Sequence, residues 1–370
     1  MKTLSLLIKP ASGLCNMRCS YCFYTDVASR RETASYGLMS AETVRRILRS
    51  VSTELSAGDR LTIAFQGGEP TLAGIDFYLD FFRTADTLLR GVRIEYVFQT
   101  NALLLDESWC ALFRERGVLV GISLDGPAEN HNALRPDADG KGTYSRVRRS
   151  MQLLRQYGVS FNVLVVLSAR LARHPVSVWN WLRREEIAYV QFIPCLEKLD
   201  GAGTAPDALT PSRFRDFYVQ LFPLWKRSMS AGVFTSVKLF DDLINLYLGG
   251  RATACGISGA CTVQYVVEAN GDVFPCDFYV LDRYRMGSLL TAAPSALYPA
   301  AAPFLTDGRA YVQEPPCRGC RYEKSCAGGC KRQRDSMYVE NGVCQYAALL
   351  DELLDPLLRF AREYLAARRG

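Results

Sequence analysis

Residues 10–24 read PASGLCNMRCSYCFY. Cys15, Cys19 and Cys22 fall within eight residues, spaced C-x3-C-x2-C, directly behind an apolar run at 4–10. A closed structural metal site takes four ligands, and this loop supplies three. In a parallel β/α architecture, the loops behind the strands form the edge where ligands bind. Three thiolates there can hold three irons of a [4Fe–4S] cube and leave the fourth iron to a ligand that is not protein. A zinc knuckle completed by a distant cysteine, or three buried thiols, is the plainer alternative.

Outward from this loop the chain alternates. Apolar, β-branched runs at 4–10, 60–66, 93–99, 118–124, 159–167 and 188–194 read as strands. Segments with helical period lie between them at 40–56, 75–90, 106–116, 143–157 and 174–186, and a sixth helix is expected over 210–230. Ser40 with Thr43, Asp106 before Glu107, and Thr210-Pro211 are start signals, while Gly117 and Gly158 are stops. Six β/α units in a row imply a parallel sheet with helices outside. An incomplete, curved barrel fits, because eight units typically need ~250 residues.

The texture changes after about residue 250. VQYVVEANGDVFPCD (263–277) holds two strand-like runs around Asn270-Gly271, a strong hairpin signal. TAAPSALYPAAAPF (291–304) is Ala/Pro-rich and reads as an irregular connector, and 345–368 has helical spacing. The expected division is a partial barrel over 1–232, a linking helix over 233–250 and a cysteine-rich domain over 251–370.

Composition excludes several classes. The 370 residues are 49% hydrophobic, enough for a sizeable core. The net charge of +6 comes from 44 basic and 38 acidic residues and is scattered. Arg148-Arg149 and Arg183-Arg184 sit in amphipathic patterns as solvated helix faces, and no basic stripe with interleaved aromatics argues for nucleic acid. No apolar run approaches the ~18 residues of a membrane span. Lys9 interrupts the first apolar run, so 4–11 reads as a buried strand rather than a signal peptide. Thirteen cysteines against two histidines, His131 and His174, point to thiolate metal or redox chemistry rather than disulfide staples.

Read as C-x3-C-x-Y-C, with Tyr21 before Cys22, the loop resembles the signature of the radical S-adenosylmethionine (SAM) superfamily. The resemblance implies that the open iron chelates the amino and carboxylate groups of SAM. An electron from the cluster then splits the sulfonium, and the 5′-deoxyadenosyl radical takes a hydrogen atom from substrate. The run Gln66-Gly67-Gly68-Glu69-Pro70 follows the second strand. Its glycines allow close backbone approach and its glutamate can take an ammonium group; alone it is an ordinary strand-to-helix turn. It resembles the family's GGEP motif, which contacts the methionine amino group. Gln99-Thr100-Asn101 and Ser123-Leu124-Asp125-Gly126 end the third and fourth strands. By resemblance, Ser123 and Asp125 are placed at the ribose, Arg135 at the SAM carboxylate and Leu196 on adenine.

The string CRGCRYEKSCAGGC (317–330) resembles the SPASM extension of radical SAM enzymes that modify peptides. It implies two auxiliary [4Fe–4S] clusters, hence three clusters in all. Cys255, Cys261, Cys276 and Cys330 are assigned to the first auxiliary cluster, and Cys317, Cys320, Cys326 and Cys344 to the second. Two zinc sites are the alternative. Cys110 and Cys195 are left over as packing residues.

LSLLIKPASGLCNMRCSYCFY, SYGLM, AFQGGEPTLAG, DESW, SLDGP, QFIPCL, CDFYVLD and AGGCKRQRD together resemble the anaerobic sulfatase-maturating enzymes. QTNA (99–102) departs from the family's QTNG, and Cys344 lies somewhat closer to Cys330 than usual. The resemblance implies oxidation of one Cys or Ser of an unfolded sulfatase segment to Cα-formylglycine. By the same resemblance, the radical takes a hydrogen atom from Cβ, a base takes the thiol or hydroxyl proton, and an electron leaves to an auxiliary cluster. It places the base at Asp277, and Tyr24 and Gln66 at the peptide. An electron donor such as flavodoxin or ferredoxin and a cytoplasmic, anaerobic setting are expected, with no nucleic-acid or membrane partner. The rivals are a thioether-forming or epimerising SPASM maturase, and a non-catalytic zinc or iron–sulfur electron-transfer protein. The cysteine loop begins at residue 15, which leaves no room for the peptide-recognition domain that such maturases often carry before the barrel.

Overall fold

Alternation of buried and exposed side chains turns TLSLLI into β1 (Thr3–Ile8), with Leu6 and Ile8 in the core. The computed structural model describes residues 1–199, 205–259, 261–307 and 315–367. β2 (Arg60–Phe65), β3 (Arg93–Thr100), β4 (Leu119–Ser123), β5 (Phe161–Leu167) and β6 (Tyr189–Pro194) follow at the expected places. Helices α1 (Phe23–Ala28), α2 (Ala41–Ser52), α3 (Ile75–Leu88), α4 (Glu107–Arg116), α5 (Ala128–Leu134), α6 (Tyr144–Gln156), α7 (Pro175–Arg184) and α8 (Pro211–Ser230) lie between and after them. The start signals act as caps. Ser40 Oγ accepts from Thr43 N at 3.0 Å, Asp106 Oδ1 from Trp109 N at 3.1 Å and Thr210 Oγ1 from Arg213 N at 3.4 Å.

The chain forms two compact units, each assembled from several stretches. The first comprises 1–123, 134–161 and 262–305. In it β1, β2, β3 and β4 are parallel neighbours, joined on the β1 side by β8 (Val266–Val267), then β9 (Asp272–Phe274), then β10 (Gly287–Ser288). β8 and β9 are the hairpin expected at Asn270-Gly271, with Gly271 at φ +85°. Its first strand runs parallel to β1, Ile8 opposite Val267, while Ile8 also stands opposite Phe65 of β2. Lys9, Gln66 and Glu268, each one residue beyond its strand, therefore arrive side by side. An aromatic core of Phe65, Tyr78, Phe81, Phe98, Trp109 and Phe113 packs edge-to-face or tilted beneath them.

The second unit comprises 124–133, 162–261 and 306–370. β5, β6 and β7 (Ser236–Val237) are parallel there, and α9 (Lys238–Tyr247) follows. The terminal helix, Gln345–Ala367, packs on α8, with Trp225 and Phe360 rings 5.2 Å apart. The expectation of 345–368 for this helix differs only at its last residue, which lies outside the described residues.

Two local expectations need correction, and two short helices carry no sequence signal. Residues 291–304 are not irregular: Pro294–Leu297 and Ala302–Asp307 are short helices joined by a 3-10 turn, because Pro294, Pro299 and Pro303 each occupy the first turn of a helical segment, where no N–H is needed. The linking segment 233–250 holds a short strand, β7, before its helix. The short helices α1 and α5 were too brief to show a period.

Candidate active site

The three-cysteine loop is fastened to the QGGEP loop by its backbone. Gly68 N donates to Ser12 O at 2.8 Å and Glu69 N to Leu14 O at 2.7 Å. A Cβ on Gly68 would stand 2.0 Å from Leu14 O, so only glycine permits this approach. Gly67 takes φ +127°, and a Cβ there would press on the Lys9 stem at 3.2 Å. Asn16 and Met17 tie the loop's far side to 137–138: Met17 bridges Asp137, and Ala138 N donates to Asn16 O at 3.2 Å. Met17 N lies 3.4 Å and Asn101 Nδ2 3.8 Å from Cys15 Sγ, both as donors toward sulfur. Burial pushes the Cys15 thiol above its ordinary value, helped by Glu69 and Cys22 and opposed by the Met17 amide and Arg135.

Glu69 does not present a free carboxylate. It is buried, and its oxygens accept from Thr71 N at 3.0 Å, Thr71 Oγ1 at 2.6 Å, Thr100 Oγ1 at 2.7 Å and Asn101 N at 2.8 Å. Burial raises its pKa in spite of these bonds. The side chain thus knots the β2 and β3 loops together. Tyr21 and Arg135 are brought together, Arg135 Nη1 donating to the phenol oxygen at 2.7 Å. Ser123 Oγ accepts from Gln99 Nε2 at 3.1 Å. Asp125 is fully buried in the second unit, where its Oδ1 accepts from Val166 N at 2.9 Å. Leu196, in the same unit, is also buried.

Past β9, Asp277 sits in the first unit with little exposure, and both carboxylate oxygens are held. Lys9 Nζ lies 2.5 Å from Oδ1, an ion pair without hydrogen-bond alignment, and Gln66 Nε2 donates to Oδ2 at 2.8 Å. Lys9 has no exposed surface and lies over the Tyr24 ring, 3.6 Å from its centroid. Beside it Glu268 accepts from Ser12 Oγ at 2.7 Å, from Arg31 Nη1 at 2.7 Å and from the Tyr24 hydroxyl. Burial raises the Glu268 carboxyl, but Lys9, Arg31 and the hydroxyl bonds outweigh it, so its pKa lies below the ordinary value. Burial and the Glu268 charge push the Tyr24 phenol well up. Two cations, Lys9 and Arg31, thus face two carboxylates, Glu268 and Asp277, in one dry cluster. Tyr24, expected at the peptide, is buried, and its hydroxyl donates to Glu268.

In the second unit Cys317, Cys320, Cys326 and Cys344 line one cavity with Tyr322 and Tyr346. Among the described residues no three such donors close on a single ion. Four thiols spread around one cavity suit a cubane, in which each iron takes one thiolate. Burial and the neighbouring thiols push Cys326 up to about 12. Cys255, Cys261 and Cys330 are also mutual neighbours there; burial first, then Cys330 and Cys261, push Cys255 up to about 11. Cys276 ends the β9 segment in the first unit. Cys110 and Cys195 are buried, consistent with packing.

Lys9, Ser12, Arg31 and Glu268 were missed as site residues. Lys9 and Glu268 carried a signal, each a lone charge at the end of an apolar run. Arg31 and Ser12 carry none, since each acquires Glu268 as a partner only through the β1–β8 pairing.

Residues 10–169 match the family model of the radical SAM superfamily. The chain is 37% identical to the cysteine-type anaerobic sulfatase-maturating enzyme of Clostridium novyi, covering 90% of each chain. It is 38% identical to the enzyme of the same description from Clostridium perfringens, covering 91% of each. A solved structure of anSMEcpe with bound AdoMet and the Cp18Cys peptide superposes with TM-score 0.87 at 35% identity, over 99% of both chains. With such identity along nine-tenths of its length, and a radical SAM match at the three-cysteine loop, the chain belongs to the anaerobic sulfatase-maturating family of radical SAM enzymes.

Proposed function

We propose that the chain oxidises one Cys or Ser of an unfolded sulfatase segment to Cα-formylglycine. The observation that carries this reading is the 37–38% identity, over nine-tenths of both chains, to enzymes described as cysteine-type sulfatase-maturating. Bound SAM and the [4Fe–4S] clusters supply hydrogen-atom abstraction and an electron sink. Cys15, Cys19 and Cys22 hold the SAM-side cluster, Cys255, Cys261, Cys276 and Cys330 the first auxiliary cluster, and Cys317, Cys320, Cys326 and Cys344 the second. Tyr21, Arg135, Ser123 and Leu196, with the Gly67-Gly68 backbone, form the proposed SAM side. We assign Glu69 and Asp125 to it as well; Glu69 accepts from Thr100 Oγ1 and Asn101 N, and Asp125 Oδ1 accepts from Val166 N.

Asp277 takes the thiol or hydroxyl proton as Cβ loses its hydrogen atom. Its value lies in its position, within reach of the proton it takes. Gln66 orients it and faces the peptide. The net change at the target residue is loss of two protons and two electrons, as one hydrogen atom, one proton and one electron; for Cys, water then replaces the sulfur with oxygen and sulfide leaves. We place the enzyme in an anaerobic cytoplasm, served by a small electron donor such as flavodoxin or ferredoxin. Among the described residues no helix is long and apolar enough to cross a membrane.

The test is anaerobic: reconstituted protein, SAM, a reductant and a peptide with a sulfatase Cys or Ser motif, followed by mass spectrometry. A Ser peptide should lose two hydrogens, and a Cys peptide should do so with sulfur exchanged for oxygen. A crosslinked or merely deuterium-exchanged peptide would overturn the reading in favour of another maturase.

A further inference from the structure

We infer that Lys9 is a positioning residue for the oxidation, one that holds the Asp277 carboxylate in a single orientation together with Gln66. This rests on the proposed reaction and on Asp277 as its base. Nζ of Lys9 lies 2.5 Å from Oδ1 and Nε2 of Gln66 lies 2.8 Å from Oδ2, so each oxygen has its own anchor and the carboxylate cannot turn freely. Both anchors come from strand ends: Lys9 follows β1 and Gln66 follows β2, in register through Ile8 opposite Phe65. Asp277 stands on a short 3-10 turn, Asp277–Tyr279, a segment with little stiffness of its own. The rigid sheet thus lends its geometry to a carboxylate carried on a loop.

Lys9 is itself held on every side. Its stem lies against Gly67, where a Cβ would approach to 3.2 Å, and its ammonium lies on the Tyr24 ring, 3.6 Å from the centroid. Glu268, anchored by Arg31 and Ser12, faces it as a second carboxylate. Glu268 keeps Arg31 whatever happens at residue 9. Without Lys9, however, the Asp277 carboxylate retains only the Gln66 amide among its described partners, while the Asp277 backbone N–H still donates to Gln264 Oε1 at 3.2 Å. A base displaced by about 1 Å loses roughly 100-fold in proton transfer, while radical generation at the cysteine loop does not need it. Loss of Lys9 should therefore uncouple the two halves of the reaction.

The experiment compares wild type, Lys9→Met, Asp277→Asn and the double variant as reconstituted holoenzymes. Iron per chain, 5′-deoxyadenosine formed without peptide, and formylglycine formed per 5′-deoxyadenosine with a Cys peptide are measured for each. Lys9→Met should keep its iron and peptide-free SAM cleavage while formylglycine per 5′-deoxyadenosine falls at least 10-fold. In the Asp277→Asn background it should change that ratio less than two-fold, because nothing remains to be positioned. Lys9→Arg, which keeps the charge, should recover part of the ratio. The inference is overturned if Lys9→Met keeps the wild-type ratio, or if it lowers the ratio a further 10-fold beside Asp277→Asn. Loss of iron in Lys9→Met that the double variant does not restore also overturns it, since Lys9 is then a folding residue only. A wild type that cleaves SAM but makes no formylglycine is a separate outcome and removes the proposed function itself.

Discussion

Gly68→Ala puts the smallest side chain where the two ligand loops touch. The added Cβ would stand 2.0 Å from Leu14 O, 2.6 Å from Leu14 C and 2.8 Å from Gly13 C, all backbone atoms. Moving from 2.0 Å to the 3.4 Å of ordinary contact requires a displacement of about 1.4 Å. No side-chain rotation can supply it. The bonds Gly68 N to Ser12 O and Glu69 N to Leu14 O, 2.8 and 2.7 Å long, would break or stretch. Two such bonds contribute about 1–3 kcal/mol together. The larger effect is on geometry, because Leu14 directly precedes Cys15, and a shift of about 1 Å at a reacting centre costs roughly 100-fold in rate. The assay is 5′-deoxyadenosine release from reconstituted Gly68→Ala with SAM and dithionite, without peptide, beside the iron content. We expect cleavage to fall about 100-fold. Wild-type cleavage with full iron would refute the close approach and the loop arrangement built on it.

Arg31→Met leaves Glu268 buried with its 2.7 Å ion-pair partner removed, and breaking such a pair costs about 3–5 kcal/mol, which a lowered thermal midpoint would register; an unchanged midpoint would contradict the buried pairing. The pH dependence of Glu268 is also fixed in sign. Its folded pKa lies below the ordinary 4.5, so its stabilisation is present above that value and is lost only as pH falls through the depressed one. The stability gap between wild type and Glu268→Gln should therefore stay flat from about pH 6 to 8, and a gap that fades toward pH 6 would show a raised value instead. Cys110→Ala and Cys195→Ala should leave the iron per chain unchanged, by colorimetric assay, because both thiols are buried packing groups; a loss of iron in either would make that residue a ligand.

Much of this architecture is legible because its signals are local. Apolar, β-branched runs mark all six strands of the β/α units, and Ser40, Asp106 and Thr210 cap the helices that they announce. The Asn270-Gly271 hairpin formed where its turn chemistry required. Its docking on β1 was not legible, since pairing between residues some 260 positions apart leaves no trace in either segment. That pairing brings Lys9, Glu268 and Asp277 together, so the residue proposed as base is legible in the sequence while its electrostatic surroundings are not. Residue type and position propose Glu69 and Tyr24 as ligand contacts, and the fold adds the protein partners that no motif announces: Thr71, Thr100 and Asn101 for Glu69, and Glu268 for Tyr24. A motif states which residues meet at a site; only the fold states which of them face outward.

The central claim is that Cys15, Cys19 and Cys22 leave one iron of a cubane open to SAM. The most direct measurement is 5′-deoxyadenosine formed by anaerobically purified protein given SAM and dithionite, with Cys19→Ala beside it. Brown wild-type protein carrying about 12 irons per chain should release the nucleoside, and Cys19→Ala, with both auxiliary clusters intact, should release none. Iron-free wild type, or equal release by the variant, would contradict the account.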